Sequence, residues 1–136
     1  MENRSIPRCT VIPELAYPDI GKAIDWLCGA FGFTLRLRIA NHRAQLNVGD
    51  GAVVLIELAE GQRVDAGHSV MVRVANVDEH QKRASQHRAR VIRPPADHPF
   101  GERQYSVEDL AGRRWTFTQS IADVDPVTWG GTPGHL

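Results

Sequence analysis

A strand–helix–strand pattern appears twice in this chain, about half a chain apart, and that repeat constrains the fold more than any other feature. The first copy runs from Val11 to Phe33 and the second from Ser69 to Val91. Asp19 and Asn76 hold the same place in each, closing an extended apolar run and opening a helix as candidate N-caps. A duplicated module reduces the problem to one unit used twice, and it leaves a cleft between the halves.

The 136 residues fit one domain with a substantial core. Sixteen acidic residues balance 16 basic ones, which argues against nucleic acid as the main partner, since phosphate binders carry a basic excess. All basic residues except Lys22 and Lys82 are arginine. Arginine suits planar recognition of carboxylate or phosphate, although genomic base composition produces the same bias. Cys9 and Cys28 have no metal-type spacing and make no disulfide framework. The opening Met1-Glu-Asn-Arg-Ser has no apolar signal-peptide core. No run approaches the roughly 18 apolar residues of a membrane span. A cytoplasmic protein with no membrane partner is the expectation.

Strands are expected over Val11 to Tyr17, Thr34 to Ile39, Arg43 to Val48 and Ala52 to Leu58, with a helix from Asp19 to Phe31 ending at Gly32. After a linker at 59–68 the second half repeats the order. Ser69 to Val74 is a strand and Val77 to Arg88 a helix whose Asn76 and Glu79 are spaced like a capping box. Arg90 to Arg93, Arg103 to Val107 and Arg114 to Gln119 are further strands. Each half therefore reads β-α-β-β-β, an α+β fold. The modules cover about 9–58 and 69–119 of a single domain at 1–120, and 121–136 form an irregular tail whose Trp129 should dock somewhere.

Strand alternation sorts the side chains into two faces. One carries the helices, with Trp26, Trp115 and Phe117 in the core. The other is polar and bears Glu14, Arg36, Arg38, Gln45, Asn47, Glu57, Arg73 and Thr116. Such a face is normally solvated, but a duplicated sheet that curls would turn it into a cavity lining.

Two stretches resemble a known family. Pro13-x-Leu15-x-Tyr17-x-Asp19, followed by Ala-Ile-Asp-Trp-Leu27 and Ala-Phe-Gly-Phe33, looks like the glyoxalase/bleomycin-resistance/dioxygenase superfamily, also called the vicinal oxygen chelate fold. Phe100-Gly-Glu-Arg103, with Asp109-Leu-Ala-Gly112-Arg-Arg-Trp115, is similar to its Trp-Gly-x-Arg…Asp-Pro-x-Gly-His-x-Trp ending. The resemblance covers roughly 9–119 and implies two modules forming a half-open β-barrel around a pocket, within a homodimer. It also implies a divalent metal held by His, Gln or Glu from the first, fourth, fifth and eighth strands. The chain departs here, because counting from the repeat places Ile12, Leu55, Ser69 and Thr116 at those positions. A shifted register would bring in His68 or Glu57, yet His68 falls on the opposite strand face. No metal or other cofactor is expected.

Glu14 is the candidate catalytic acid/base, with a structural ion pair to Arg36, Arg38 or Arg73 as the competing reading. Arg36, Arg38, Gln45, Glu57, Arg73, His98, Arg103, Tyr105 and Thr116 are candidate ligand-binding residues. Arg103 suits a bidentate contact to an anion or carbonyl, or else braces the turn through Asp109 or Glu108. His42 and His98 lie in loops; His80 and His87 share a helix face that reads as solvated. Three functions stay open: metal-independent binding of a small polar or anionic molecule, a lyase, isomerase or dioxygenase-type enzyme using Glu14 or an unrecognised metal site, and a dimeric interaction protein.

Overall fold

The computed structural model describes residues 1–64 and 67–136; positions 65 and 66 of the expected linker lie outside the described residues. Its elements form two matching sets. The first is β1 (Glu14–Tyr17), α1 (Ile20–Phe31), β2 (Thr34–Ile39), β3 (Arg43–Val48) and β4 (Gly51–Glu57). The second is β5 (Ser69–Arg73), α2 (Val77–Gln86), β6 (Arg90–Asp97), β7 (Glu102–Glu108) and β8 (Arg114–Ser120). This is the tandem β-α-β-β-β arrangement of an α+β protein. The strands make two four-stranded sheets, ordered β1-β4-β3-β2 and β5-β8-β7-β6. In each, the first strand pairs parallel to the last and the other pairings are antiparallel. The sheets stay open rather than closing into a barrel. Among the described residues no helix is long and apolar enough to cross a membrane.

Both helices start where the repeat places them. The Asp19 carboxylate accepts the Lys22 N–H at 3.0 Å, and the Asn76 side chain accepts the Glu79 N–H at 3.1 Å. α1 buries Ile20, Ala23, Ile24, Leu27, Ala30 and Phe31 and stops at Gly32, whose φ of 76° is left-handed. α2 buries only Val77 and Ala84 and ends at Gln86, two residues short of the expected Arg88. The first strand is also shorter than expected: Pro13 has no N–H to donate, so pairing starts at Glu14. β6 is longer, continuing through Pro94 and Pro95. It is an edge strand with register shifts at Val91/Arg93 and Arg93/Ala96, where proline is tolerated.

The core lies between helices and sheets and crosses from one module to the other. Trp115, Phe117, Tyr17 and Tyr105 are almost fully buried. Phe31 of the first module meets Trp115 and Phe117 of the second edge-on, at 5.5 and 4.8 Å between ring centres. The helices are tied as well: Trp26 Nε1 donates to the His87 carbonyl at 3.0 Å, and Arg83 Nε to the Gly29 carbonyl at 2.7 Å. Beneath them Asp109 takes four hydrogen bonds. Oδ2 accepts from the Tyr17 hydroxyl (2.5 Å) and Trp115 Nε1 (3.0 Å), and Oδ1 from the N–H groups of Ala111 and Arg113. A buried carboxylate is tolerated when its lone pairs are filled in this way. Burial and the Asp109 charge together push the Tyr17 hydroxyl far up, against the opposing pull of Arg113.

In the tail, Trp129 rests on Phe100 at 5.3 Å, and the Ile121 and Ala122 N–H groups bond the Gly101 carbonyl. The tail thus docks on its own chain.

Candidate functional site

β1 and β5 are the edge strands of their sheets, and they share a cavity of about 730 Å³ at the junction of the modules. Glu14, Leu15 and Ala16 of β1, Ile56 of β4 and Ser69, Val70 and Met71 of β5 line it from the sheets. Glu14, Ala16, Ile56, Ser69 and Met71 alternate with Leu15, Tyr17, Leu55, Val70 and Val72 of the core, so those five belong to the helix-free face. Leu58, Gln62, Arg63, Val64 and His68 of the inter-module linker form one wall, and Arg113, just before β8, closes another. A smaller cavity of about 260 Å³ continues along the same junction toward Val48–Val53 and Arg73.

The helix-free face of the second sheet carries a polar ladder. Gln104 Nε2 donates to Thr118 Oγ1 at 3.1 Å, Thr118 Oγ1 donates to Glu102 at 2.7 Å, and Ser106 and Thr116 share a bond of 2.9 Å. Hydrogen bonds from Ser120 and Thr118 hold the Glu102 carboxyl below its ordinary range, with further help from the Arg73 charge.

The expected site residues divide into three groups. Glu14 lines the junction cavity and makes no hydrogen bond or ion pair among the described residues; Thr116 and Arg73 are on the same helix-free side, Arg73 at the smaller cavity. Arg36 and Gln45 are also on that side, but they are committed to the N-terminal segment. Arg36 bonds Gln45 and donates to the Arg4 and Ile6 carbonyls at 3.1 and 3.0 Å, and Gln45 Nε2 donates to the Ser5 carbonyl at 2.9 Å. Residues 4–6 therefore cover this end of the first sheet.

The remaining expectations are corrected by strand phase. A bulge between Leu35 and Leu37 shifts the alternation of β2. Arg38 consequently lies toward Gly21 of α1 and donates to the Ala40 carbonyl at 2.8 Å and to Asn41. Glu57 shares parity with core Leu55 and stands exposed at the end of β4, on the helix side. Tyr105 is 1% exposed in the core. Arg103, in phase with it, reaches Asp78 at 3.0 Å and Asp97 at 2.9 Å, not the Asp109 or Glu108 of the bracing alternative. His98 stacks on Phe100 at 5.1 Å in the β6–β7 loop, away from the cavity.

His80 is not on a solvated face either. It packs 3.9 Å from the Phe117 ring; its Nε2–H donates to the Phe31 carbonyl at 3.2 Å, which leaves Nδ1 to accept from the Tyr105 hydroxyl. Met71, Ile56, Arg63 and Arg113 were missed. Met71 carried the clearest signal, since alternation with Val70 and Val72 turns it off the core.

Strand register fixes which side chains stand at the positions from which a divalent metal would be held. Glu14 pairs with Val54 as Met71 pairs with Thr116, so the counterpart of Thr116 is Val54, whereas Leu55 points into the core. The set is then Ile12, Val54, Ser69 and Thr116: two apolar side chains and two hydroxyls. Zinc, iron, nickel and manganese favour imidazole and carboxylate, and these residues do not fit such an ion. Among the described residues no three His, Cys, Asp or Glu side chains come together as a metal site.

Comparison with known proteins agrees with this architecture. The sequence profile of the Glyoxalase/Bleomycin resistance protein/Dioxygenase superfamily matches residues 6–117. A crystal structure of TioX from Micromonospora sp. ML1 is 37% identical, with a TM-score of 0.71 over 86% of this chain and 100% of that one. A glyoxalase/bleomycin resistance protein/dioxygenase from Nocardioides is similar in fold at 18% identity, with a TM-score of 0.67 over 96% of this chain and 91% of that one. Lactoylglutathione lyase from Agrobacterium tumefaciens is also 18% identical, at TM-score 0.66 over 92% and 98%; these last two show the fold alone. No curated protein matches the chain. The chain belongs to the glyoxalase/bleomycin resistance protein/dioxygenase superfamily.

Proposed function

We propose that this superfamily member binds a small molecule without a metal, in the cavity between β1 and β5, and acts by sequestering it rather than by transforming it. The observation that carries the reading is the exchange of chemistry at the junction. Where a ligating set would stand, the chain has Ile12, Val54, Ser69 and Thr116; of these Ser69 lines the cavity of about 730 Å³, to which Ile56, Leu58, Val64 and Met71 present apolar surface. That volume is within the usual range for small-molecule sites, which are mostly apolar with a few placed polar groups.

The arginine-based expectation of a polar or anionic ligand narrows to an amphipathic one, because Arg38 and Arg103 are engaged on the helix side and Arg36 by the N-terminal segment. A second reading keeps one supporting observation: Glu14 lies in the cavity without a partner among the described residues, where an acid/base would be wanted. Glu14→Gln separates the two, since an enzyme loses turnover and keeps binding, whereas a sequestering protein has no turnover to lose.

The test is a thermal-shift screen of small amphipathic molecules on chelator-treated protein, with Met71→Glu alongside. Met71 is 61% exposed, so its replacement leaves the core intact. Hits that stabilise the wild type with chelator present, and fail on Met71→Glu, support binding in this cavity. Hits that depend on restored divalent metal, or that ignore the substitution, contradict it.

A further inference from the structure

We propose that Arg113 is the anchor for the acidic head of an amphipathic monoanion whose aliphatic body fills the junction cavity; this rests on the binding reading above and adds the chemistry of the ligand. Arg113 is only 8% exposed. One of its N–H groups donates to the Ala16 carbonyl at 2.8 Å, and the guanidinium lies over the Tyr17 ring at 5.2 Å from the centroid. Nε is buried with no partner. Arg113 forms no ion pair with a carboxylate among the described residues. The neighbouring Asp109 side chain is fully used by Tyr17, Trp115 and two backbone N–H groups.

A guanidinium carries five donors; the Ala16 carbonyl and Tyr17 take up only part of them, and the buried Asp109 carboxylate on the far side of the Tyr17 hydroxyl offsets part of the charge. The Tyr17 face offsets a further part through cation–π attraction. The guanidinium keeps unused donor capacity, Nε above all, and the residue stands on the wall of the junction cavity.

The other walls define the rest of the ligand. Ile56, Leu58, Val64 and Met71 supply an apolar stretch of the lining beside the polar Gln62, His68 and Ser69, and no phenyl or indole ring lines the cavity among the described residues. Glu14 repels a second negative charge, which favours a single acidic group at one end of an apolar chain. Arg63 is the other cation on the wall, carried on the linker rather than buried beside the strands.

Calorimetric titration of the wild-type protein with octanoate and with 1-octanol, of equal length and no charge, tests the assignment. A charge-assisted hydrogen bond predicts octanoate binding roughly tenfold tighter than octanol. Arg113→Met should bring octanoate to the level of octanol without changing octanol, and Arg63→Met should keep the preference. Equal binding of the two ligands, or a preference that survives Arg113→Met, overturns the anchor and leaves the cavity reading standing. Binding of neither ligand overturns the anchor for an aliphatic monoanion, and the cavity reading is then decided by the thermal-shift screen with Met71→Glu. If Arg113→Met does not fold, Arg63→Met decides: loss of the preference there assigns it to Arg63 and overturns the proposal, and its retention supports Arg113.

Discussion

His80 shows how much of a residue's role depends on what the opposite module brings to it. Its ring sits between Phe31 of the first module and Phe117 and Tyr105 of the second. Burial there lowers its pKa to about 4, opposed by the bond to the Phe31 carbonyl and reinforced by the Arg83 charge. Because the folded value is below the unfolded one, near 6.5, the unfolded chain takes up a proton first as pH falls. The contribution of neutral His80 is therefore complete above about pH 6.5 and is lost as pH falls toward 4. Urea unfolding as a function of pH should show stability falling through this window by at most about 3 kcal/mol, and His80→Gln should flatten that slope; an unchanged slope would contradict the account. From sequence His80 read as a solvated helix residue, since the rings that enclose it come from Phe31, Tyr105 and Phe117, far apart in the chain. Arg113 was obscured in the same way: proximity to Gly112 marked a turn, and only the fold places Tyr17 and Ala16 against it.

Element order was readable because its signals are local. Asp19 and Asn76 cap helices by bonding N–H groups three residues on, and the turn at Gly49-Asp50-Gly51 separates strands whose apolar residues alternate. Side-chain direction was less readable, because one extra residue reverses it. The bulge in β2 turned Arg38 toward α1, and the phase of β7 sent Arg103 to Asp78 and Asp97. The β6–β7 loop depends on the tail in a way no local pattern announces. Gly101 has a φ of 85°, and a Cβ there would stand 2.3 Å from the Ala122 carbonyl oxygen. Gly101→Ala combines an unfavourable left-handed backbone with this clash, so it should cost more than about 1 kcal/mol. Chemical denaturation should register that loss, and protease should cut the released tail faster; a variant as stable and as resistant as the wild type would show that the tail is not held through Gly101.

At the scale of the whole molecule the internal repeat accounts for two like modules, a core shared between them and a cavity where their first strands meet. The helix-free face is not uniform along its length. Residues 4–6 cover its Arg36 and Gln45 end, whereas the β1–β5 junction is left to the cavity. The family fold is present, and the positions from which its enzymes hold a metal carry Ile12, Val54, Ser69 and Thr116 instead of imidazoles and carboxylates. Pairing register corrected one of these, Leu55, which the repeat count had put a residue out of phase. Metal-independent binding requires that this altered set hold no ion. Elemental mass spectrometry on tag-free protein purified without chelator tests that directly. The account predicts nickel, zinc, iron and manganese each far below one per chain, and a near-stoichiometric content of any of them would contradict it and return the chain to metal-dependent chemistry.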